Sequence, residues 1–573
     1  MDDRKGLFVR ALRELGKVCF LIGKYDDALN NFQKLCRNSA DSKLNIAQAK
    51  RYIAGVFEKT GRYDEALNLL DEIEGTLGDI SEEEKIERAD SYILRGLIYR
   101  TKGKLKDAVC ESEKGIKIIE ELEVSKIKKK ENKIRIKQIT ANAYNNLAVL
   151  YYLRDDYDKA IELYQKHLKI SKAIRDKQGI GQAYNNLANI YCDRGDCGKA
   201  IALYKKALKI LEVIGYKQAV GQASGNLGLV HCEKGDYDEA IRFYKRHLQI
   251  SEEIGYKQGA GVANCNLGVV NYEKGDYDTA IRYYQKSLEI LRTIGHKYGI
   301  GLNNHHLGNA YKDKGYYHKA VQLFEKYLEV SEEIQNHYGI ASANLDLGLV
   351  LLEMAKIETG PSVKSKKKQE RTNMLIKRIE NYLKNSEKIF NRIKEKQNLV
   401  RVYSGFAQLQ DIKQKASKMT VLGYGTASRR PMNSKSVNNA LRKYAGKILK
   451  IANELESQEA IADCYFAYSK VYSLMLSQST QPRSFNVSKV STAKPNIKFI
   501  FTALEKAIAI YKNLKRNKNI ADCYWEYAKI LRFIGNAIPE RPDKYINESI
   551  AIYKRLRLNH RIREIEKTVL KWR

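Results

Sequence analysis

The chain has 573 residues, of which 43% are hydrophobic and 30% charged, and it carries a formal charge of +34. No apolar run approaches the ~18–20 residues a membrane-spanning helix needs, so no transmembrane helix is expected. Nine cysteines (Cys19, Cys36, Cys110, Cys192, Cys197, Cys232, Cys265, Cys464, Cys523) are scattered and odd in number, which fits no disulfide framework and predicts reduced thiols. The opening MDDRKGLFVRALRELGKV carries charges every few positions and lacks the apolar core of a secretory signal. A cytoplasmic protein is expected.

In chain order, the first predicted elements are helix pairs recognised by the spacing of small residues. Gly16 with Ala28, Ala54 with Ala66, Gly96 with Ala108 and Ala148 with Ala160 repeat the spacing of Gly228 with Ala240. From residue 181 the chain repeats at a shift of 40: GQAYNNLANIYCDRGDCGKAIALYKKAL at 181, GQASGNLGLVHCEKGDYDEAIRFYKRHL at 221, GVANCNLGVVNYEKGDYDTAIRYYQKSL at 261 and GLNNHHLGNAYKDKGYYHKAVQLFEKYL at 301. Within each unit both segments are apolar at three-and-four spacing, the mark of an amphipathic helix. Gly195, Gly235, Gly275 and Gly315 stand where the first helix must end in a left-handed residue. Asp196, Asp236 and Asp276 follow as helix starts, and Asp236 with Glu239 has the spacing of a capping box. Eight such pairs are predicted up to about residue 340.

After 340 the two helices of each pair separate. ASANLDLGLVLLEMAKI is followed late by RIENYLKNSEKIFNRI, after ETGPSVKSKKKQERT, and three more split pairs follow. All six prolines (Pro361, Pro431, Pro482, Pro495, Pro539, Pro542) are assigned to these insertions, because proline does not fit a helix interior. RIREIEKTVLKWR is read as a helix that caps the last apolar face. The expected organisation is 1–139 as divergent pairs, 140–355 as regular repeats, and 356–573 as basic, degenerate pairs ending in the capping helix.

The small residues Gly228, Gly268 and Gly308, then Ala240, Ala280 and Ala320, then Tyr244, Tyr284 and Phe324 resemble the tetratricopeptide repeat (TPR) pattern. The stretch KHLKISKAIRDKQGIGQAYNNLANIY resembles the Pins/LGN adaptors and, less closely, kinesin light chains. The usual Trp slot holds Tyr144, Tyr184, Ser224 or Asn264, and Glu252, Arg292 and Glu332 replace the usual closing Pro. This departure predicts a second helix that runs on through QISEEIGYKQG before turning. The resemblance implies an all-α TPR solenoid, a right-handed superhelix of about twelve helix pairs whose concave groove is lined by first helices.

AYNNLA occurs at 143–148 and again at 183–188, although Asn is a poor helix former. Asn146, Asn186, Asn226 and Asn266 share one slot, His306 and Asp346 continue it, Asn145 and Asn185 precede two of them, and Asn189 and Asn309 lie one turn on. A row of amides can grip the backbone of an extended peptide, and the resembled adaptors use Asn in this slot along their groove. The bland alternative is that these residues bond a neighbouring helix and fix packing. A chaperone-type carboxylate clamp is not expected, because Val262 and Asn266 stand where it needs Lys and Arg. The acidic-Gln-Arg triplet of Gα-binding motifs is also missing.

Residues 356–573 hold 46 Lys and Arg against 18 Asp and Glu. Lys364 with Lys366, Lys367 and Lys368, Arg429 with Arg430, and KIKKKENKIRIK at 126–137 form clusters. Such charge attracts an acidic protein, a nucleic acid or an anionic surface, or is simply solvated. GYGTASRRP at 423 lacks the pattern of a phosphate loop, RGD at 194–196 is an inter-helix turn, and His167 and His247 share a packing slot. No catalytic, cofactor or metal site converges. The sequence therefore predicts a non-enzymatic adaptor or scaffold that binds a protein or peptide in the concave groove. The alternative is a nucleic-acid-associated regulator acting through the basic half, and a third reading has the groove filled by one of the chain's own insertions.

Overall fold

The computed structural model describes residues 2–570 apart from 22–23, 40–41, 79–80, 123–126, 128, 360–365, 422–433, 456, 480–486, 514–516, 535–540 and 557. Among the described residues there are twenty-five helices and no strand. The chain divides into two compact units, Met1–Tyr216 and Lys217–Arg573. The first holds α1 (Asp2–Leu21), α2 (Tyr25–Arg37), α3 (Lys43–Lys59), α4 (Tyr63–Thr76), α5 (Glu82–Thr101), α6 (Leu105–Glu121), α7 (Lys130–Tyr152), α8 (Tyr157–Ala173), α9 (Lys177–Asp193) and α10 (Cys197–Val213). The second holds α11 (Lys217–Glu233), α12 (Tyr237–Glu253), α13 (Lys257–Glu273), α14 (Tyr277–Thr293), α15 (Lys297–Asp313), α16 (Tyr317–Glu333), α17 (His337–Glu358) and α18 (Lys366–Arg392). It continues with α19 (Lys396–Val421), α20 (Ser434–Glu454), α21 (Gln458–Ser479), α22 (Val487–Asn513), α23 (Asn517–Ile534), α24 (Pro542–Arg555) and α25 (Asn559–Leu570).

Local chemistry sets each pair. Gly195, Gly235, Gly275 and Gly315 adopt φ of 78°, 81°, 78° and 83°, a region glycine enters without Cβ penalty. Asp196 and Asp276 then accept the backbone N–H of Lys199 and Thr279. At Asp236 the expected capping box is absent: its carboxylate lies 3.4 Å from His231 Nδ1 and 3.3 Å from Lys234, and Glu239 pairs with Arg242 instead. The box that does form, Ser81 with Glu84, opens α5.

Pairs close because a missing side chain admits a ring. A Cβ on Gly228, Gly268 or Gly308 would stand 2.5–2.7 Å from the ring of Tyr244, Tyr284 or Phe324. Each ring is almost fully buried, and burial of such a side chain contributes roughly 1.5–3 kcal/mol. In the first unit α3, α5, α7 and α9 also touch one another in succession, as do α11, α13 and α15, and α17, α19, α21 and α23, in the second. The second helices do not pack on one another in this way, which puts the first helices on the inner side of each unit's curve.

Four details differ from the sequence expectation. The second helix does not run on: α12 stops at Glu253, Gly255 turns left-handed at φ 69°, and KQG already opens α13. The insertion after α17 is shorter than expected, because KKKQERT, rich in good helix formers, forms the start of α18. Pro542 opens α24, where its missing N–H is no loss, and Pro495 lies inside α22, whose helical backbone begins further upstream at Val487. Pro361, Pro431, Pro482 and Pro539, with GYGTASRRP, Lys364, Arg429 and Arg430, lie outside the described residues.

The second unit also returns on itself. Tyr237, Tyr244, Leu267 and Val270 share one core with Trp525, Tyr527, Ile546, Ile562 and Ile565. Lys518 pairs with Glu273, and Leu556 seats against Gly235. A linear reading of repeats carries no signal for this closure, because it joins residues more than two hundred positions apart.

Candidate functional site

The paired Asn residues of α7 and α9 sit side by side in the first unit. Asn186 donates to Asn145 Oδ1 at 3.1 Å, so the rung is diagonal, joining neighbouring slots of successive repeats. Asn146, only 9% exposed, has no hydrogen-bond partner for its amide among the described residues. It lines a cavity of about 650 Å³ with Asn142, Asn145 and Gln182 on one side and Phe20, Tyr52, Ile93, Leu94 and Leu97 on the other. The walls come almost wholly from α1, α3, α5, α7 and α9, with Phe32 of α2 behind them.

Charges around the cavity are compensated from within. Arg51 lies 2.5 Å from Glu87 and 3.1 Å from Asp90, and Arg135 bonds the other oxygen of Glu87. Burial alone would raise the Glu87 carboxyl, but the two arginines outweigh it and hold it below the ordinary glutamate range. Lys17 pairs with Glu14 at 2.9 Å and Lys59 with Glu58 at 3.0 Å. Arg51 and Lys17 also lie over the Tyr52 ring, which stacks on Phe32 at 4.9 Å. The site thus combines a neutral apolar wall with a row of amides.

Its N-terminal half escaped the sequence reading although a signal existed. Carrying the Asn146 slot back through the Gly16, Ala54 and Gly96 spacing lands on Glu14, Tyr52 and Leu94, and the last two line the cavity. Asp90, Asn142 and Gln182 likewise share one slot a turn earlier.

The remaining candidate residues have other surroundings. Asn189 accepts the Tyr204 hydroxyl at 2.5 Å, a contact within its own pair, and Asn185 beside it is half-buried. In the second unit Asn226 and Asn266 are half-buried on α11 and α13. His306 stacks on Tyr284 at 5.3 Å, and Asn309 bonds His305 and Lys312. Asp346, 2% exposed, lies 2.9 Å from His305 and 3.2 Å from Arg401. Burial would raise Asp346, but His305 and Arg401 hold it low.

Burial, with His305 beside it, pushes His306 down to about 3, and burial likewise lowers His247. An unfolded histidine protonates near pH 6.5, so below that pH the unfolded chain binds more protons and stability falls. The denaturation midpoint of the second unit is expected to drop from pH 7 to pH 4.5, with a limiting His306 slope of about 1.4 kcal/mol per pH unit. His306→Phe, which keeps the ring on Tyr284, should flatten the profile measured by urea titration, and an unchanged slope would contradict this assignment.

Stacked helix pairs, with a ring seated on a glycine at the Gly16, Gly228, Gly268 and Gly308 crossings, define the class, an all-α helical-repeat solenoid. Models described as Tetratricopeptide repeat match residues 139–212 and 220–293, 22–78 and 185–253, and 303–334. The chain carries tetratricopeptide repeats over these residues, a repeat class that serves protein interaction. Solved structures it is similar to include the apo form of RapI, at 15% identity over 70% of this chain and 99% of that one, with a TM-score of 0.46. A STAND protein with a tetratricopeptide repeat sensor from Pyrococcus horikoshii is 18% identical over 56% of this chain, with a TM-score of 0.44. The match spans 47% of that STAND chain. A putative kinesin light chain of Podosopora anserina with nearly identical TPR-like repeats is 17% identical over 34% of this chain and 95% of that one, with a TM-score of 0.30. No curated protein matches the chain. All nine cysteines are free, and no helix among the described residues is long and apolar enough to cross a membrane.

Proposed function

We propose that the protein is an adaptor whose first unit holds an extended peptide segment of a partner along the inner helices α3, α5, α7 and α9. Asn145, Asn146 and Gln182 grip the peptide backbone, Asn185 and Asn186 extend the row, and the wall of Phe20, Tyr52, Leu94 and Leu97 takes one apolar side chain. Asn226, Asn266 and His306 offer the equivalent slot in the second unit, while Asn189 and Asn309 position their neighbours. The observation that supports this most is the row of amides, Asn142, Asn145, Asn146 and Gln182, lining one cavity with an apolar wall, since each amide both donates and accepts and can bond a peptide backbone.

Linear peptides selected from a random library on the full chain test it, with affinities read by fluorescence anisotropy. Asn145→Ala with Asn146→Ala removes two hydrogen bonds of about 0.5–1.5 kcal/mol each, so about tenfold weaker binding is expected. Because the cavity's ions are already paired, raising salt from 50 to 300 mM should change affinity little. Peptides that bind the double variant as tightly as the parent chain would refute the site.

A further inference from the structure

One of the two 27-residue helices of the second unit, α18, carries a charge pattern that the groove does not use. On α18 the buried positions Thr372, Ile379, Leu383, Ser386 and Phe390 define one face. Opposite them, Lys367, Arg371, Lys377, Arg378, Lys384, Lys388 and Arg392 form an exposed crest. The glutamates that could neutralise it are taken at the flanks: Glu380 by Lys413 of α19 and by Lys384, and Glu387 by Lys447 of α20 at 2.9 Å. Arg378 reaches Glu325 of α16 at 3.7 Å. Lys367, Arg371, Lys377, Lys388 and Arg392 have no ion-pair partner among the described residues, nor do exposed Arg442 and Lys443 on α20. Glu370 is the one exposed acid between Lys367 and Arg392. The excess is local, because the exposed face of α16 carries Glu325, Glu329, Glu332 and Glu333.

We propose that the crest of α18, continued by Arg442 and Lys443 of α20, binds the phosphodiester backbone of a single-stranded nucleic acid. From Lys367 to Arg392 the crest runs about 38 Å, at 1.5 Å per residue, with a cation every ~6–10 Å. A flexible single strand can follow such a straight row, whereas a duplex winds away from it. Exposed Asn381 and Asn385 lie between the cations and supply neutral donors for phosphate oxygens. Met374 is the sole large apolar side chain exposed on α18, too little for insertion into a lipid interface or for the apolar centre of a protein interface. No aromatic ring is exposed on α18, so bases are not stacked and binding is blind to sequence.

The test uses the full chain with fluorescent 20-nucleotide oligouridylate and oligodeoxythymidylate, followed by anisotropy from 50 to 300 mM salt. At about 0.7 per neutralised phosphate, five to seven contacts give a log–log slope of roughly −3.5 to −5. Arg371→Glu with Lys377→Glu and Lys388→Glu should weaken binding at 100 mM salt by more than tenfold and make the slope shallower by about 2. Arg442→Glu with Lys443→Glu should act in the same direction without touching α18. Circular dichroism should stay unchanged for both, and Asn145→Ala with Asn146→Ala should leave oligonucleotide affinity intact. Absence of binding at 50 mM salt, or variants equal to the parent chain, would overturn the proposal. So would poly-glutamate or phosphatidylserine vesicles displacing the oligonucleotide at equal charge concentration, which would assign the crest to an acidic protein or a lipid surface.

Discussion

Replacing Glu87 by Ala should lower the stability of the first unit by about 3–5 kcal/mol, the cost of stranding buried charge when one partner of a pair is removed. Glu87 is fully buried and is the shared acceptor of Arg51 on α3 and Arg135 on α7, while Asp90 receives the remainder of both guanidinium charges at 3.1 and 3.5 Å. Three successive inner helices are therefore joined through one carboxylate directly behind the cavity wall. At roughly 2–4 °C per kcal/mol for a unit of this size, the calorimetric transition of the first unit should fall by about 10 °C. A shift worth less than 1 kcal/mol would mean that the apolar contacts of α3, α5 and α7 suffice without it. The depressed Glu87 carboxyl also fixes a pH dependence: its stabilisation is present above the unfolded glutamate value near 4.3 and is lost as pH falls below it.

Gly268→Val should destabilise the second unit by about 3 kcal/mol, at the upper end of the range for overpacking. A Cβ at Gly268 would lie 2.5 Å from two ring carbons of Tyr284, which is 1% exposed and has no free space to rotate into. Ala188 above Tyr204 in the first unit shows that this crossing accepts one methyl when the pair is built around it, so Gly268→Ala should cost only about 1 kcal/mol. Urea denaturation of the full chain separates the two. Equal effects from Ala and Val would show that helix separation, and not ring contact, sets the crossing.

Much of this architecture was legible in the sequence because each repeat restates it. The small residues at the crossings, the rings they admit and the glycines at the turns recur at fixed spacing, and the helix pairs follow from them. What stayed hidden depends on partners distant in sequence. The Asp236 and Glu239 spacing could not reveal that His231 and Lys234 draw Asp236 away. The core that Trp525 and Tyr527 share with Tyr237 and Leu267 has no local signature. The row of asparagines was visible, but its apolar counterpart, Tyr52 and Leu94, became recognisable only once the same slot was followed into the divergent N-terminal pairs.

The central claim is that the inner face of the first unit is where a partner's peptide lies. The most direct measurement places a photo-crosslinking benzoylphenylalanine at Gln182, on the exposed rim of the cavity, and in a second protein at Lys209, exposed on α10 outside it. Each is irradiated with a library-selected peptide at equal occupancy, and the adducts are quantified by mass spectrometry. Crosslinks from position 182 that are absent from position 209, and that fall with Asn145→Ala and Asn146→Ala in the same chain, are the predicted result. Adducts at 209 with none at 182 would place the peptide outside the cavity and contradict the account.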